Sequence, residues 1–439
     1  MVRQNANPST SPTASLQALA REIRGDVILP TDDEYDRLRS VFNAAIDRRP
    51  AAIVRPRSIV DVASAVRFAR ETSLPLAVRG GGHHFAGHAL VDGGLSIDLS
   101  LMRNVSVDPE RRVARADGGA LWGDVDRATQ QFGLATPGGT VSSVGVGGFT
   151  LGGGIGRLSR AYGLSADNLV SVEMVTPDGC CVTASEDEHE SLFWAIRGGG
   201  GGFGVVTSLE FRLHEIGREV WGGAIAYRIE DARAVLRVVR DLMISASDEL
   251  NVSAVIMRNQ GRPLLVLNPF WIGDAGAGRA AVRALREVAT PVIDRYGPTS
   301  YLALQSVDAA GGQRGWESSA FLDQMFDDTI DGILAHAAAA PVAAPRIALL
   351  PLGGAVARVP AAATAFGGRG AQWLVQAGAS WDSAADDVPA KGWIEQLHAV
   401  VADDSTGIGY INMLSPARPS HSTWMRARLR AVRAGVGGG

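Results

Sequence analysis

The residues with the most chemistry to offer lie in one stretch, Leu76-Ala-Val-Arg-Gly-Gly-Gly-His-His-Phe-Ala-Gly-His88. It begins as a short apolar strand, Leu76 to Val78, and runs into three glycines and a histidine pair. Three consecutive glycines cannot continue a strand cheaply, because glycine loses the most backbone freedom on ordering. They suit a tight turn that comes close to a ligand. Successive N–H groups in such a turn form a concave anion site, and Arg79 adds positive charge at its edge. The physical reading is a phosphate or pyrophosphate cradle on Gly80, Gly81 and Gly82, with His83 held where the chain meets the ligand. A plain turn carrying an ordinary histidine fits the same residues. His84 and His88 sit four apart, but Gly87 and the preceding glycines oppose a helix and no Glu lies between them. No metal site is expected there.

Two further stretches share this texture. Pro137 to Gly156 contains Gly138, Gly139, Gly145, Gly147, Gly148 and the run Gly152-Gly-Gly-Ile-Gly156, and Leu192 to Thr207 contains five consecutive glycines before Phe203-Gly-Val-Val-Thr207. A flat, extended ligand lying against bare backbone would need such segments. Gly199, Gly201 and Gly204 formally satisfy G-x-G-x-x-G, but a strand is expected after them rather than a helix. A nicotinamide Rossmann site is therefore rejected.

Arg79-Gly-Gly-Gly-His83, Gly145-Val-Gly-Gly148 with Gly152-Gly-Gly-Ile-Gly156, Gly163-Leu-Ser-Ala-Asp-Asn168 and Phe203-Gly-Val-Val-Thr207 occur in one order and spacing. In these motifs the chain resembles the covalent-flavin oxidoreductases of the vanillyl-alcohol-oxidase / p-cresol-methylhydroxylase superfamily. The resemblance is to the berberine-bridge-enzyme-like branch and runs from about Pro50 to about Leu414. It implies an α+β fold: a p-cresol-methylhydroxylase-type FAD-binding domain plus a substrate domain whose antiparallel sheet is covered by helices. The expected boundaries are a disordered tail over 1–15, the FAD-binding domain over 16–215, the substrate domain over 216–403 and a return to the FAD domain over 404–439.

The resemblance also assigns roles. FAD is the implied cofactor, and His83 matches the family's histidine that bonds covalently to the flavin 8α-methyl carbon; His84 is one position off that motif. Some members carry a second link through a cysteine, but Val141 stands at the matching position, so a single link is expected. Arg79 and Gly80 to Gly82 would hold the pyrophosphate, and Gly147, Gly148, Gly152 and Gly153 would line the flavin and its phosphate path. Gly87, Gly138, Gly139, Val144, Gly156 and Gly204 complete the expected cofactor-binding set, with Val206 at the adenosine end. Asp167 and Asn168 match positions near the ligand face, or else form a turn and a helix cap. Tyr410 matches a tyrosine near the ring and is the expected base if its pKa is lowered, with Asn412 orienting it or touching the flavin. Trp316 and Gln305 are expected to line the pocket. Where relatives tend to have an aromatic–Trp–Lys run, this chain has Trp316-Glu-Ser318, and histidines expected before Leu352 are replaced by Leu350 and Pro351. The family's closing C-terminal pattern is missing, so the end from Ser415 to Gly439 reads as atypical and truncated.

Composition agrees with an ordinary two-domain protein. A chain of 439 residues can bury a large core. A formal charge of -4 gives no reason to expect nucleic acid or a membrane surface as partner. Cys180 and Cys181 are adjacent and cannot staple distant segments, which fits a reducing compartment. The N-terminus lacks a signal-like apolar run and no segment is long enough to span a bilayer. A cytoplasmic monomer or homodimer is expected, with O2 and a small molecule as its partners.

Periodicity places the elements. A strand over Ala51–Val54, a helix begun by Ser58 and the strand Leu76–Val78 open the chain. Strands are expected at Leu95–Leu99, Val113–Ala116, Leu169–Val175, Cys180–Thr183 and Gly204–Leu213, with helices at Ala120–Phe132 and Leu192–Ile196. Later strands are expected at Glu219–Ile229, Leu250–Met257, Pro263–Phe270, Ala371–Trp381 and Ile408–Leu414. Helices are expected at Asp231–Ser245, Ala277–Val288, Phe321–Ala339 and Ser383–Ala402. The function this supports is an FAD-dependent oxidase that takes hydride from a small alcohol, sugar or amine and reduces O2 to H2O2. A flavin dehydrogenase with another acceptor, or a flavin-binding protein without turnover, would share the same motifs.

Overall fold

The computed structural model of the chain describes residues 12–307 and 311–413. The C-terminal stretch read as atypical lies outside the described residues, as do residues 1–11. A helix spans Pro12–Glu22, so residues 12–15, expected to belong to the tail, are helical.

The first sheet has four strands, ordered Asp26–Ile28, Ala52–Arg55, Leu95–Asp98, Leu76–Arg79. The last three run parallel; a helix returns the chain between Ala52–Arg55 and Leu76–Arg79, and a loop does so between Leu76–Arg79 and Leu95–Asp98. That helix is Ile59–Glu71, and Ser58 caps it by accepting from the Asp61 N–H at 3.3 Å. Its Val62, Ala65, Val66 and Ala69 pack on Val54, Leu95 and Ile97 of the sheet. A second, antiparallel sheet orders Val105–Asp108, Val113–Asp117, Val205–Arg212, Leu169–Val175, Cys181–Ser185. Both cysteines are exposed and free.

The third sheet has nine strands, all paired antiparallel. Its main path ends with Arg262–Trp271, Leu250–Asn259, Ala344–Pro351, Trp373–Trp381 and Arg314–Leu322 as neighbours. Helices Ala232–Ser245, Asp327–Ala338 and Asp387–Val400 cover one face. Val235, Leu236 and Val239 meet Leu265, Leu267 and Val375 there, all buried. Each such burial contributes about 1.5–3 kcal/mol. The opposite face is left for a ligand. Antiparallel sheets commonly bury one face in this way.

Several expected elements differ. Glu219–Ile229 is two strands, Glu219–Gly222 and Ile225–Arg228, because Gly223 turns the chain at φ +143°. The helix expected from Phe321 starts only at Asp327, and Phe321 belongs to the strand Arg314–Leu322. That strand and Ala344–Pro351 were not expected at all. The stretch around Tyr410 is not a strand. It runs beside the strand Arg314–Leu322, where the Phe321 N–H donates to Ile408 O at 3.1 Å, and ends in a short 3-10 turn, Ile411–Met413.

Three buried polar side chains fix the large sheet against the glycine-bearing part. Asn43 donates to Phe85 O at 2.8 Å and Gly315 O at 3.0 Å, and accepts from the Gly315 N–H at 3.0 Å. Arg160 donates to the carbonyls of Leu250, Leu352 and Ala246. Arg369 forms a two-pronged ion pair with Asp167 at 2.7 and 2.5 Å. Arg–carboxylate pairs of this geometry fix orientation as well as distance.

Candidate functional site

The three glycine stretches converge. Gly81 lies against Gly145 so closely that a Cβ on it would stand 2.3 Å from the Gly145 nitrogen. Cβ atoms on Gly80 and Gly147 would each meet the Gly118 carbonyl at 3.4 Å. The Gly118 N–H in turn donates to Thr207 O at 2.8 Å, beside Val206. A cavity of about 1540 Å³ runs between these backbones and the open face of the large sheet. Pockets for a single small ligand span roughly 300–1,000 Å³. This one has room for an extended cofactor and a substrate together. Its wall is bare backbone where such a cofactor would lie: Cβ atoms on Gly148 and Gly201 would meet nothing within 4 Å. A dinucleotide pressed against peptide groups fits these residues.

Of the residues expected to bind the cofactor, Gly80, Gly81, Gly82, His83, His84, Gly139, Val144, Gly147, Gly148, Gly156, Gly204, Val206, Tyr410 and Asn412 line the cavity. His83 sits at its wall, stacked on Phe42 with ring centroids 4.5 Å apart. Burial, with help from Arg79, holds its pKa below the usual histidine value against a hydrogen bond with the Ser143 backbone. The imidazole is thus neutral, the form with a free electron pair. His84 is committed elsewhere. Its Nδ1 accepts from the Ala86 N–H at 3.1 Å, so Nε2 carries the proton and donates to Ile411 O at 3.1 Å. That bond ties the cradle to the segment bearing Tyr410. Among the described residues, no cluster of three or more His, Cys, Asp and Glu could hold a metal ion.

Seven expected residues do not line the cavity. Arg79 turns under its own loop and donates to Leu38 O at 2.6 Å. Gly87, Gly138, Gly152 and Gly153 are bare for packing: added Cβ atoms would strike Ile46, Trp122, Asn412 and Phe366 at 2.6, 2.5, 2.0 and 2.6 Å. Asp167 is consumed by Arg369 and by the Leu164 N–H at 2.8 Å. The Asn168 Nδ2 donates to Tyr162 O and Leu164 O, and its Oδ1 lies 2.6 Å from His214 Nε2. The turn-and-cap alternative describes this pair.

Tyr410 departs from the expected base. It is fully buried, and desolvation pushes its phenol up to about 12. Its oxygen accepts from the Gly154 and Ile155 N–H groups at 3.1 and 3.2 Å and from Asn412 Nδ2 at 2.8 Å. Asn412 Nδ2 also donates to Phe149 O at 2.8 Å. A base needs the opposite shift. This hydroxyl pins the glycine turn instead. Of the two expected pocket residues, Gln305 lies behind the glycine loop, donating to Gly139 O at 3.1 Å. Trp316 does line the cavity, although its ring turns toward the helix layer, where Nε1 donates to Glu395 at 3.0 Å.

The far wall is built from residues outside the expected set. Asn251, Ser253, Asn268, Glu317, Arg346 and Gln376 project from the open face of the large sheet into the cavity. Alternation along each strand is the signal that would have found them. Glu317 is buried, and desolvation raises its carboxyl to about 7 despite Arg346 and a bond from Gln376. Arg157 joins the wall too, half-buried, with its Nε buried and unpartnered among the described residues.

Comparison with known proteins agrees with this geometry. Residues 50–185 match the FAD binding domain family model. An uncharacterized FAD-linked oxidoreductase of Bacillus subtilis is 31% identical over 89% of this chain and 88% of its own length. The crystal structure of 6-hydroxy-D-nicotine oxidase from Arthrobacter nicotinovorans superposes with a TM-score of 0.85 at 27% identity, over 94% of this chain and 95% of that one. Glucooligosaccharide oxidase from Acremonium strictum, described with a 6-S-cysteinyl, 8α-N1-histidyl FAD, shares the fold with a TM-score of 0.85 at 24% identity, over 96% of each chain. Backbone cradle, fold and relatives together make the chain a member of the FAD-linked oxidoreductases, with the fold of the berberine-bridge-enzyme-like flavoenzymes.

Proposed function

We propose that the chain is an oxidase that holds FAD through one covalent link at His83, takes hydride from a small alcohol, sugar or amine, and passes the electrons to O2 to give H2O2. In this reading residues 16–215 hold the cofactor and 216–403 supply the substrate wall. The observation that carries it is the meeting of three glycine stretches around a cavity with a neutral, stacked imidazole at its wall.

The flavin supplies a two-electron acceptor when bound; the protein's part is to hold it and place the substrate. Gly80, Gly81 and Gly82 would offer N–H groups to the pyrophosphate, and Gly147 and Gly148 would leave backbone bare for the ring. His83 is available to form the tether because burial keeps it unprotonated. Val141, on the cavity wall, has no sulfur to form a second one. The 6-hydroxy-D-nicotine oxidase neighbour favours an amine, the oligosaccharide oxidase neighbour a sugar. The neutral polar wall of Asn251, Ser253, Asn268 and Gln376 accepts either.

The experiment is anaerobic mixing of purified protein with alcohols, aldoses and amines, followed by air. Bleaching of the flavin absorbance and stoichiometric H2O2 on reoxidation are expected. A flavin that bleaches but returns only with an added dye would make the protein a dehydrogenase.

A further inference from the structure

Glu317 is the one carboxylate among the described residues that line the cavity. Its place is set by the strand Arg314–Leu322, whose residues 317 and 319 share a face. Ser319 clamps the Tyr410 segment: its hydroxyl accepts from the Tyr410 N–H at 3.2 Å and donates to Met413 O at 3.2 Å. Glu317 therefore stands one residue pair along from the turn that carries Tyr410 and Asn412. Across the sheet it faces Gly378, and Gly378 faces Arg346. The missing side chain at Gly378 lets the Arg346 guanidinium reach over to within 3.7 Å of Glu317 Oε2. Gln376 Nε2 donates to the same oxygen. Oε1 takes no hydrogen bond among the described residues.

A buried carboxylate with one oxygen fixed and one free is out of place in a purely structural role. The other cavity groups are poorly placed to take a proton. Both nitrogens of His84 are engaged with backbone. Tyr410 keeps its proton until about 12, and His88 takes one only near 4, held there by burial and by its neighbour His84.

We propose that Glu317 takes the O–H or N–H proton of the substrate while its C–H hydrogen leaves, with Arg346 and Gln376 holding the carboxylate in place. The inference rests on the flavin reading above. In the step, the substrate O–H or N–H bond breaks toward Glu317 Oε1. The C–H bond breaks with its electron pair going to the flavin, and a C=O or C=N bond forms. The flavin is the oxidant and gains two electrons. The carboxyl returns its proton to solvent before the next turnover.

The test compares wild type with Glu317→Gln and Glu317→Asp by anaerobic flavin bleaching with primary alcohols, aldoses and amines. The range is about pH 5 to 9. The expected result is that all three proteins carry the same acid-stable yellow flavin. Glu317→Gln bleaches about 10²–10⁴-fold more slowly and loses the rise of rate with pH, and Glu317→Asp recovers part of it. Should no panel member bleach wild type, a pH titration of the flavin absorbance decides: a step in wild type that Glu317→Gln lacks supports the proposal, and identical curves overturn it. A yellow Glu317→Gln that bleaches at the wild-type rate with the wild-type pH profile sinks the proposal alone. Colourless wild-type protein sinks the flavin reading and the proposal with it.

Discussion

Gly81 and Gly145 meet backbone to backbone, each occupying the space where the other's Cβ would be: 2.3 Å from Gly81's added carbon to the Gly145 nitrogen, 2.2 Å in reverse. Two motifs more than sixty residues apart are thereby locked into one wall. Gly81→Ala or Gly145→Ala should destabilise the protein by about 1–3 kcal/mol and leave it with little bound flavin. Gly201→Ala has open space around its Cβ and should cost the fold little while weakening flavin binding. Thermal unfolding and the ratio of flavin to protein absorbance check both.

Arg369 and Asp167 form a buried pair, with side chains 4% and 8% exposed. Removing one partner leaves the other charge buried and alone, which costs roughly 3–5 kcal/mol. Arg369→Met should lower the unfolding midpoint sharply, and adding Asp167→Asn should recover part of the loss. A double-mutant cycle by denaturant unfolding measures the coupling.

Tyr410→Phe removes the acceptor shared by Gly154, Ile155 and Asn412. Stranding these buried donors should cost about 1–3 kcal/mol. With its phenol pushed up to about 12, Tyr410 is not titrating near neutrality. The variant should therefore keep the shape of the wild-type pH–rate profile even if its rates fall.

Glu317 makes stability depend on pH. Burial raises its carboxyl from 4.5 to about 7 in the folded protein, with Arg346 and Tyr410 as the titratable groups facing it. Between those values the folded state holds the proton more tightly than the unfolded chain. Its contribution is therefore complete below about pH 4.5 and is lost as pH rises through about 7, a span on the order of 3 kcal/mol. Glu317→Gln should flatten this part of the wild-type curve. Urea midpoints measured across the range test it.

Much of the cradle was legible in the chain. Glycine runs next to a histidine point to close backbone approach, and Gly80 to Gly82, Gly147, Gly148 and Gly204 do line the cavity. A glycine in sequence does not say what comes close, however. Gly152 and Gly153 are bare for Asn412 and Phe366, protein groups from more than two hundred residues away. Asp167 likewise found its partner in distant Arg369. The part of the far wall that carries Glu317 and Arg346 was hidden because its two strands do not look like strands. Arg314–Leu322 mixes glycine, serines and an acid, and Ala344–Pro351 has proline near its start and at its end. Pairing across the sheet overrides those local preferences. It is also what sets Glu317 beside Gly378 and Arg346.

The central claim is that backbone freed of side chains wraps FAD and that the neighbouring imidazole fastens it. Acid precipitation of wild type and His83→Ala, with flavin absorbance read in pellet and supernatant, tests this most directly. The account predicts a yellow wild-type pellet, and a His83→Ala chain whose flavin, where bound, goes to the supernatant. A wild-type pellet without flavin, or a His83→Ala pellet as yellow as wild type, would contradict it.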